Sequence, residues 1–167
     1  MKSQSKIIIL RGNSGSGKTT VAKELQKKLG QGTLLISQDV IRREMLWVND
    51  GLGTKASSLL SNLIMYGRDN CDFVILEGIL NTKWYGELFE GIRNEYTSIY
   101  AYYFDLPFDE TLTRHQSRPQ SSEFGEAEMK RWWNEKDYID IIQEKTLTKE
   151  QSLNSTVTMI YNDVMSS

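Results

Sequence analysis

The chain has 167 residues, which is the length of one ordinary domain. Its 20 lysines and arginines and 22 aspartates and glutamates give a formal net charge of −2, which disfavours a strongly basic nucleic-acid-binding surface. No apolar stretch is long enough to span a membrane, and the N-terminus is too short for a signal peptide. One cysteine excludes an internal disulfide, and one histidine disfavours a histidine-rich metal site. We therefore expect a single cytoplasmic domain over residues 1–167.

Short apolar strands alternate with amphipathic helices along the chain. Strands are predicted at Lys6–Leu10, Thr33–Ser37, Phe73–Leu76 and Ile99–Phe104, with a poorly defined fifth near Ile139–Leu147. Helices are predicted at 18–29, 55–69, 108–118 and 126–137, after Asp39, around Trp84, and near the C-terminus behind a capping box formed by Thr148 and Gln151. This alternation favours an α/β fold, a doubly wound parallel sheet of about five strands with helices on both faces. The loops after its strands lie along one edge, where ligands bind.

A glycine-rich segment connects the first strand to the first helix. It matches the phosphate-binding pattern G-x-x-x-x-G-K-[ST] without a gap, and its residues are Gly12, Asn13, Ser14, Gly15, Ser16, Gly17, Lys18 and Thr19. Glycines let the backbone wrap closely around a phosphate, and the amide groups and the helix N-terminus attract the anion. Lys18 would reach the β- and γ-phosphates, and Thr19 would supply a hydroxyl to Mg²⁺. The segment therefore predicts a nucleoside triphosphate site, with Thr20 as a further contact.

This loop alone does not identify the reaction. A GTPase switch also needs a D-x-x-G motif after a strand and an N-K-x-D motif after another strand. Residues 50–53 fit D-x-x-G, but they follow a helix and suit a glycine turn instead. No N-K-x-D occurs in the chain. These observations disfavour a GTPase switch.

Charged residues follow the second and third strands. Asp39 lies at a strand–helix junction, with Arg42 one helical turn later on the same side. A carboxylate there could accept the proton of an attacking hydroxyl, and the arginine could hold the acceptor or the phosphoryl group. Asp39 also suits a helix N-cap, although we favour the catalytic role. Arg43 is less constrained and is expected to be solvated. Glu77 would orient magnesium water or the acceptor, or else be a solvated turn residue.

A phosphate-binding loop followed by a strand and D-x-x-R resembles the small P-loop kinases related to bacteriophage polynucleotide kinase, chloramphenicol phosphotransferase, gluconate kinase and zeta-toxin kinases. The resemblance rests on Gly12–Thr19, on Asp39 with Arg42, and on residues 105–118. The order of elements follows this group over nearly the whole chain. The resemblance implies a three-layer P-loop NTPase fold with a helical lid at about residues 115–130, which we name the lid segment.

The resemblance also implies roles for individual residues. Asp39 with Arg42 matches the base and the acceptor arginine of the polynucleotide-kinase branch. Arg114 would lie against the adenine, and Arg118 would close onto the phosphates. The two lid arginines are four residues apart on one helix face, ahead of a polar loop that could close, although a solvated basic face is the alternative. His115 lies at the edge of the apolar stripe and is expected to be structural.

The sequence therefore predicts an ATP- and Mg²⁺-dependent kinase that transfers the γ-phosphate to a hydroxyl of a small molecule or nucleoside. The predicted catalytic residues are Lys18, Asp39, Arg42 and Arg118, and the predicted metal-site residues are Thr19 and Glu77. One alternative is a polynucleotide 5′-hydroxyl kinase, which the acidic pI of about 5.5 disfavours. Another alternative is a nucleotide-dependent binding module that hydrolyses slowly and signals by lid movement.

The sequence says less about the acceptor than about the nucleotide. The acceptor pocket is expected to be formed by residues 42–66 and 79–85, where no motif indicates a particular ligand. The four tryptophans are candidates for base stacking, but their spacing is more typical of core residues. They are Trp47, Trp84, Trp132 and Trp133. The oligomeric state and the adenine-side contacts stay open.

Overall fold

The computed structural model describes residues 4–167, and a five-stranded sheet lies at their centre. The strands are β1 (Lys6–Gly12), β2 (Leu34–Ser37), β3 (Phe73–Gly78), β4 (Ser98–Phe104) and β5 (Glu144–Leu147). Their order across the sheet is β2-β3-β1-β4-β5, and every neighbouring pair is parallel. The sheet is that of the P-loop NTPase fold, which confirms the predicted fold class.

Helices cover both faces of this sheet. They are α1 (Lys18–Leu29), α2 (Lys55–Asn70), α3 (Thr82–Glu95), α4 (Phe108–Gln116), α5 (Glu126–Arg131) and α6 (Leu153–Met165). A π-helical turn at Val40–Met45 follows β2, and a 3₁₀ turn at Pro119–Ser122 follows α4. Within residues 4–167, no helix combines the length and apolar character needed to cross a membrane.

The central strand β1 divides the core into two layers. Side chains along a strand point alternately to opposite faces, so Ile8 and Leu10 pack with residues of α1 and α6. Ile7 and Ile9 pack on the other face with residues of α2 and α3. All four isoleucine and leucine side chains are fully buried. Burial on both faces holds the end of β1, and therefore the glycine-rich loop, at the middle of the carboxyl edge of the sheet.

A buried arginine links β1 to the far side of the sheet. Arg11 is 0% exposed and donates two hydrogen bonds of 2.9 Å to the carboxylate of Glu144. It also donates to Asp137 Oδ2 at 2.9 Å and to the Leu80 carbonyl at 3.0 and 3.3 Å. Its guanidinium lies 5.5 Å from the ring of Tyr103. Arg11 therefore joins β1, β5 and the loops before α3 and β5.

Three of the predicted helix boundaries are wrong by two residues or more. The last helix begins at Leu153 behind Ser152, whose side chain accepts a hydrogen bond from Ser155 N at 3.1 Å. Thr148 and Gln151 bond to each other in the preceding turn instead of capping the helix. The helices predicted to reach residues 118 and 137 end at Gln116 and Arg131.

The fifth strand is shorter than the region in which it was expected. It covers Glu144–Leu147, and Leu147 is its only buried apolar residue. Because it is an edge strand with polar side chains, its sequence carries little of the apolar pattern that identifies the central strands.

Candidate active site

The glycine-rich loop lies where the sequence predicts, between β1 and α1. Gly12 ends the strand, residues 13–17 form the loop, and Lys18 begins the helix. Gly15 has a φ of 81°, and a Cβ added there would lie 2.5 Å from the Thr111 carbonyl oxygen of α4. Gly17 has a φ of 93°, and its added Cβ would lie 3.2 Å from Arg114 Nη1. Both positions therefore favour glycine by conformation, and Gly15 also requires it for space.

Two buried polar groups of the loop fit a phosphate ligand. The Lys18 side chain is buried and donates a 3.1 Å hydrogen bond to the Asn13 carbonyl oxygen. Burial lowers the pKa of Lys18, while the nearby carboxylates of Glu77 and Asp39 act in the opposite direction. Ser16 Oγ is buried without a hydrogen-bond partner among the described residues. An anion bound in this loop would supply a partner to both groups.

A cavity of about 500 Å³ opens beside the loop. Its walls include the predicted contacts Thr20, Arg114 and Arg118, together with Gly15, Ser16 and Gly17 of the loop. Its opposite wall is residues 147–153, the segment between β5 and α6. The volume is in the range of small-molecule and cofactor sites. The sequence predicted Thr148 and Gln151 only as a helix cap, and it did not assign this wall to the nucleotide site.

The two predicted metal-site residues are in contact. Thr19 Oγ1 donates a hydrogen bond to Glu77 Oε1 at 3.1 Å, and Ser37 Oγ donates to the same oxygen at 2.7 Å. Glu77 is only 2% exposed, and Ser37 is its register partner on β2. Hydroxyl and carboxylate oxygens are ligands that Mg²⁺ prefers. No sequence motif indicates this role of Ser37.

These oxygens would not form a complete metal cage. Residues 4–167 contain no group of three or more histidines, cysteines, aspartates or glutamates that could hold a metal ion. Mg²⁺ in nucleotide sites is commonly held by one or two protein groups, with waters and phosphate oxygens completing the octahedron. Thr19 and Glu77 fit that arrangement.

Asp39 lies at the start of the π-helical turn after β2. Its side chain makes no capping hydrogen bond, and Val40 N instead donates to Ser37 Oγ at 3.5 Å, so the N-cap interpretation is wrong. The Asp39 side chain is 62% exposed and forms ion pairs with Arg42 at 3.2 Å and Arg43 at 3.5 Å. The carboxylate is therefore both held by two guanidinium groups and accessible from solvent.

Charged groups from four segments influence one another here. Burial lowers the pKa of both Lys18 and Arg118, and the carboxylates of Asp39 and Glu77 oppose this change in both cases. Lys18 belongs to the loop and α1, Asp39 follows β2, Glu77 lies on β3, and Arg118 follows α4. The fold therefore brings two cations and two carboxylates to one region of the sheet edge.

The arginines of the lid region have defined partners. Arg114 donates to the Ser16 carbonyl oxygen at 2.8 Å and to Glu110 Oε1 at 3.0 Å, so it contacts the glycine-rich loop directly. Arg118 Nη2 lies 2.8 Å from His115 Nδ1, and Arg118 Nε is buried without a partner among the described residues. His115 itself is 1% exposed. The alternative of a freely solvated basic face is wrong for both arginines.

Asparagine side chains fasten the loop to the segment that follows α5. Asn13 Nδ2 donates to the Asn134 carbonyl at 2.7 Å, and Asn134 N donates back to Asn13 Oδ1 at 2.8 Å. Asn81 Nδ2 donates to Asn134 Oδ1 at 2.9 Å. The sequence predicts Asn13 only as a loop residue. Its partner Asn134 is 121 positions away along the chain, and no local pattern indicates it.

A second polar network supports the backbone beside Asp39. Gln38 is 2% exposed, donates to Asp50 Oδ2 at 2.9 Å and to the Tyr85 hydroxyl at 3.0 Å, and accepts from Leu80 N at 3.0 Å. The Tyr85 hydroxyl donates to Asp50 Oδ1 at 2.6 Å. Burial raises the pKa of Tyr85, which therefore stays a donor. The network ties the glycine turn at 50–53 to α3.

The tryptophans are less buried than their spacing predicts. Trp47 is 90% exposed and Trp84 is 39% exposed, so the core interpretation is wrong for both. Trp133 packs edge-on against Phe108 at 5.4 Å between ring centroids. Trp132 packs in the same way against Phe124 at 4.9 Å.

Comparison with known proteins supports this description. A family model described as an AAA domain matches residues 7–139. No curated protein matches the chain. Similar solved structures include the APS kinase of Mycobacterium tuberculosis in complex with AMPPNP and APS, with 19% identity over 98% of this chain and 99% of that chain and a TM-score of 0.69.

Two further structures are similar over nearly their whole length. A gluconokinase from Sinorhizobium meliloti has 14% identity over 99% of this chain and 94% of that chain, with a TM-score of 0.65. The tunicamycin resistance protein of Deinococcus radiodurans has 17% identity over 96% of each chain, with a TM-score of 0.64. At these identities the similarity shows the fold. Since the family model covers most of the chain, from β1 to beyond α5, the protein belongs to this AAA domain family and has the fold of the small P-loop kinases.

Proposed function

We propose that this protein transfers the γ-phosphate of ATP to a hydroxyl group of a small molecule or nucleoside. The observation that carries the proposal is the accessible Asp39 carboxylate, held by Arg42 and Arg43 in the same charged region as buried Lys18. A protein that only bound or slowly hydrolysed nucleotide would not need a second, solvent-facing carboxylate beside its phosphate loop. A phosphotransferase needs one to receive the proton of its acceptor.

The glycine-rich loop would bind the triphosphate. Its amide groups and the N-terminus of α1 would surround the β-phosphate, and Lys18 would neutralise charge on the β- and γ-phosphates. Thr19 and Glu77 would hold Mg²⁺, which when bound neutralises charge on the phosphate oxygens. Arg114, at 2.8 Å from the Ser16 carbonyl, would fix one wall of the nucleotide cavity.

The transfer step would take place between the loop and the π-helical turn. The acceptor oxygen would form a bond to the γ-phosphorus, and the bond from that phosphorus to the β,γ-bridging oxygen would break, releasing ADP. The hydroxyl proton would pass to the Asp39 carboxylate. Arg42 and Arg118 would stabilise the charge that develops on the transferred group.

The test is a transfer assay with labelled ATP against nucleosides, sugars, other small alcohols and oligonucleotides. We expect one class of small hydroxyl acceptor to take up the label, and Lys18→Ala to abolish ATP turnover. Asp39→Asn should keep nucleotide binding and lose at least about two orders of magnitude in transfer rate. Asp140→Asn, at an exposed position, is the matched control and should keep the wild-type rate.

Several results would count against the proposal. Transfer by Asp39→Asn at nearly the wild-type rate would remove the base assignment. Phosphate release at a rate that no acceptor changes would favour the slow hydrolysing module. Salt-sensitive binding and labelling of oligonucleotides would instead favour the polynucleotide kinase.

A further inference from the structure

Arg43 connects the π-helical turn to the lid segment. Its guanidinium carbon lies 5.3 Å from the ring centre of Phe124 and 5.7 Å from that of Trp132. The two rings pack edge-on against each other, with centroids 4.9 Å apart. Phe124 belongs to the lid segment, and Trp132 follows α5 directly. The sequence-based expectation that Arg43 is solvated is wrong, because its side chain is only 34% exposed.

The Arg43 side chain contacts one carboxylate in the π-helical turn and another in the lid segment. Arg43 Nε lies 3.5 Å from Asp39 Oδ1, within its own turn. Arg43 Nη1 lies 3.9 Å from Glu123 Oε2, in the lid segment. One guanidinium therefore contacts the proposed base and the lid segment at once.

Contacts continue from Phe124 to the arginine expected to close on the phosphates. The rings of His115 and Phe124 are stacked, with centroids 4.3 Å apart and an angle of 19° between the planes. His115 Nε2 lies 2.7 Å from the Phe124 carbonyl oxygen, and its Nδ1 lies 2.8 Å from Arg118 Nη2. An unbroken series of contacts thus runs from Asp39 through Arg43, Phe124 and His115 to Arg118.

We propose that Arg43 is a positioning residue that couples closure of the lid segment to the placement of Asp39. This rests on the proposed role of Asp39 as the base. With the lid segment closed, Arg43 is held between two aromatic rings and two carboxylates, and it orients the Asp39 carboxylate. Movement of the lid segment away from the turn removes the Phe124 ring and Glu123 from Arg43, which frees the arginine and loosens its hold on Asp39.

The coupling predicts how the lid segment behaves in the absence of any nucleotide. A cation stacked on aromatic rings and a nearby ion pair together favour the closed position by a factor of about ten. In Arg43→Gln we therefore expect the backbone amides of residues 119–132 to exchange hydrogen for deuterium about tenfold faster. Arg43→Lys retains a cation and should recover part of the protection. Arg93→Gln, at an exposed position on α3, is the matched control and should exchange as the wild type does.

A double-mutant cycle separates this link from general loosening of the lid segment. Phe124→Leu removes one ring of the Arg43 contact but leaves the pair of Arg43 with Asp39 in place. If Arg43 acts through Phe124, the double variant should exchange no faster than the faster single variant. The link would be overturned if the rate increase in the double variant equalled the product of the two single increases. An unchanged exchange rate in Arg43→Gln would also overturn it.

The transfer assay tests the second half of the coupling. We expect Arg43→Gln and Phe124→Leu each to lower kcat several-fold, although Phe124 acts on Asp39 only through Arg43. Faster exchange with an unchanged kcat in both variants would overturn the coupling to the base. Faster exchange in a protein that transfers phosphate to no acceptor would leave the lid link standing and reject the proposed function instead.

Discussion

At the scale of single residues, Gly15 is the most restrictive position of the phosphate-binding loop. Its φ of 81° disfavours any side chain, and an added Cβ would meet the Thr111 carbonyl of α4 at 2.5 Å. Both constraints come from the backbone, so no rearrangement of a flexible side chain can relieve them. The close approach of loop and α4 exists only because the residue is glycine.

We expect Gly15→Ala to abolish measurable nucleotide binding, because the loop must move away from α4 and lose its curvature. Isothermal titration with ATP and Mg²⁺ measures this. Gly91→Ala is the matched control, since Gly91 lies within α3 and an added Cβ there meets nothing within 4 Å. That variant should bind nucleotide normally and unfold with a free energy higher by about 0.5–1 kcal/mol. Normal binding by Gly15→Ala would show that the contact with Thr111 is dispensable.

At the scale of elements, the π-helical turn depends on support from α3. Asp39 follows Gln38 directly, and Gln38 is held by Asp50 and by the hydroxyl of Tyr85. Tyr85 lies at a kink of α3, with non-helical φ and ψ of −114° and 18°. The kink and the buried hydroxyl place one helix against the loop that follows the turn.

We expect Tyr85→Phe to lower the free energy of unfolding by about 1–2 kcal/mol, because Asp50 and Gln38 each lose a buried hydrogen-bond partner. Urea denaturation measures the change. Tyr66→Phe, at a tyrosine that is 58% exposed, should leave the stability unchanged. A Tyr85→Phe protein as stable as the wild type would mean that the network does not stabilise this part of the fold.

The elements also show which parts of the molecule local sequence can predict. The central strands and α1 are identified by apolar runs and helical spacing, because burial on two faces leaves few polar positions. The same patterns do not identify the edge strand β5 or the turn at Thr148, because edge and turn positions accept polar residues in many conformations. The Asp39 turn is π-helical, with Leu46 N donating to the Ile41 carbonyl at 2.9 Å, a detail that apolar spacing does not distinguish from an α-helix.

The residues of the candidate site are likewise only partly predictable from local sequence. Lys18, Thr19, Glu77 and Asp39 follow from a contiguous motif and from strand ends, which a parallel sheet brings to one edge. Local sequence does not predict the roles of Ser37, Asn134 and the aromatic partners of Arg43. Those roles come from contacts between segments far apart in the chain.

At the scale of the whole molecule, Arg11 joins parts of the chain that are distant in sequence. From near the end of β1 it binds Glu144 of β5 and Asp137 of the loop before β5, and its side chain is 0% exposed. A buried ion pair is a weak source of net stability, but loss of one partner leaves the others charged in an apolar environment. Arg11 also lies two residues before Asn13, the first residue of the glycine-rich loop.

We expect Arg11→Met to lower the free energy of unfolding by about 3–5 kcal/mol, because Glu144 is left buried without its cation. Replacing the carboxylate as well, in Arg11→Met with Glu144→Gln, should recover part of the loss. Thermal denaturation of both variants measures this. Equal stability of the single and double variants would show that the charge of Glu144 is not what makes the loss of Arg11 costly.

The asparagine contacts around Asn134 have a consequence for how the length of the chain can change. The chain leaves the sheet region after Arg114, which is fixed to the loop, and returns at Asn134, which is fixed to Asn13 and Asn81. The stretch in between has both of its endpoints anchored, so extra residues at the exposed positions 119–122 would add little to the entropy of closing it. Insertions at these exposed positions should therefore lengthen the reach of the segment without shifting either of its fixed ends.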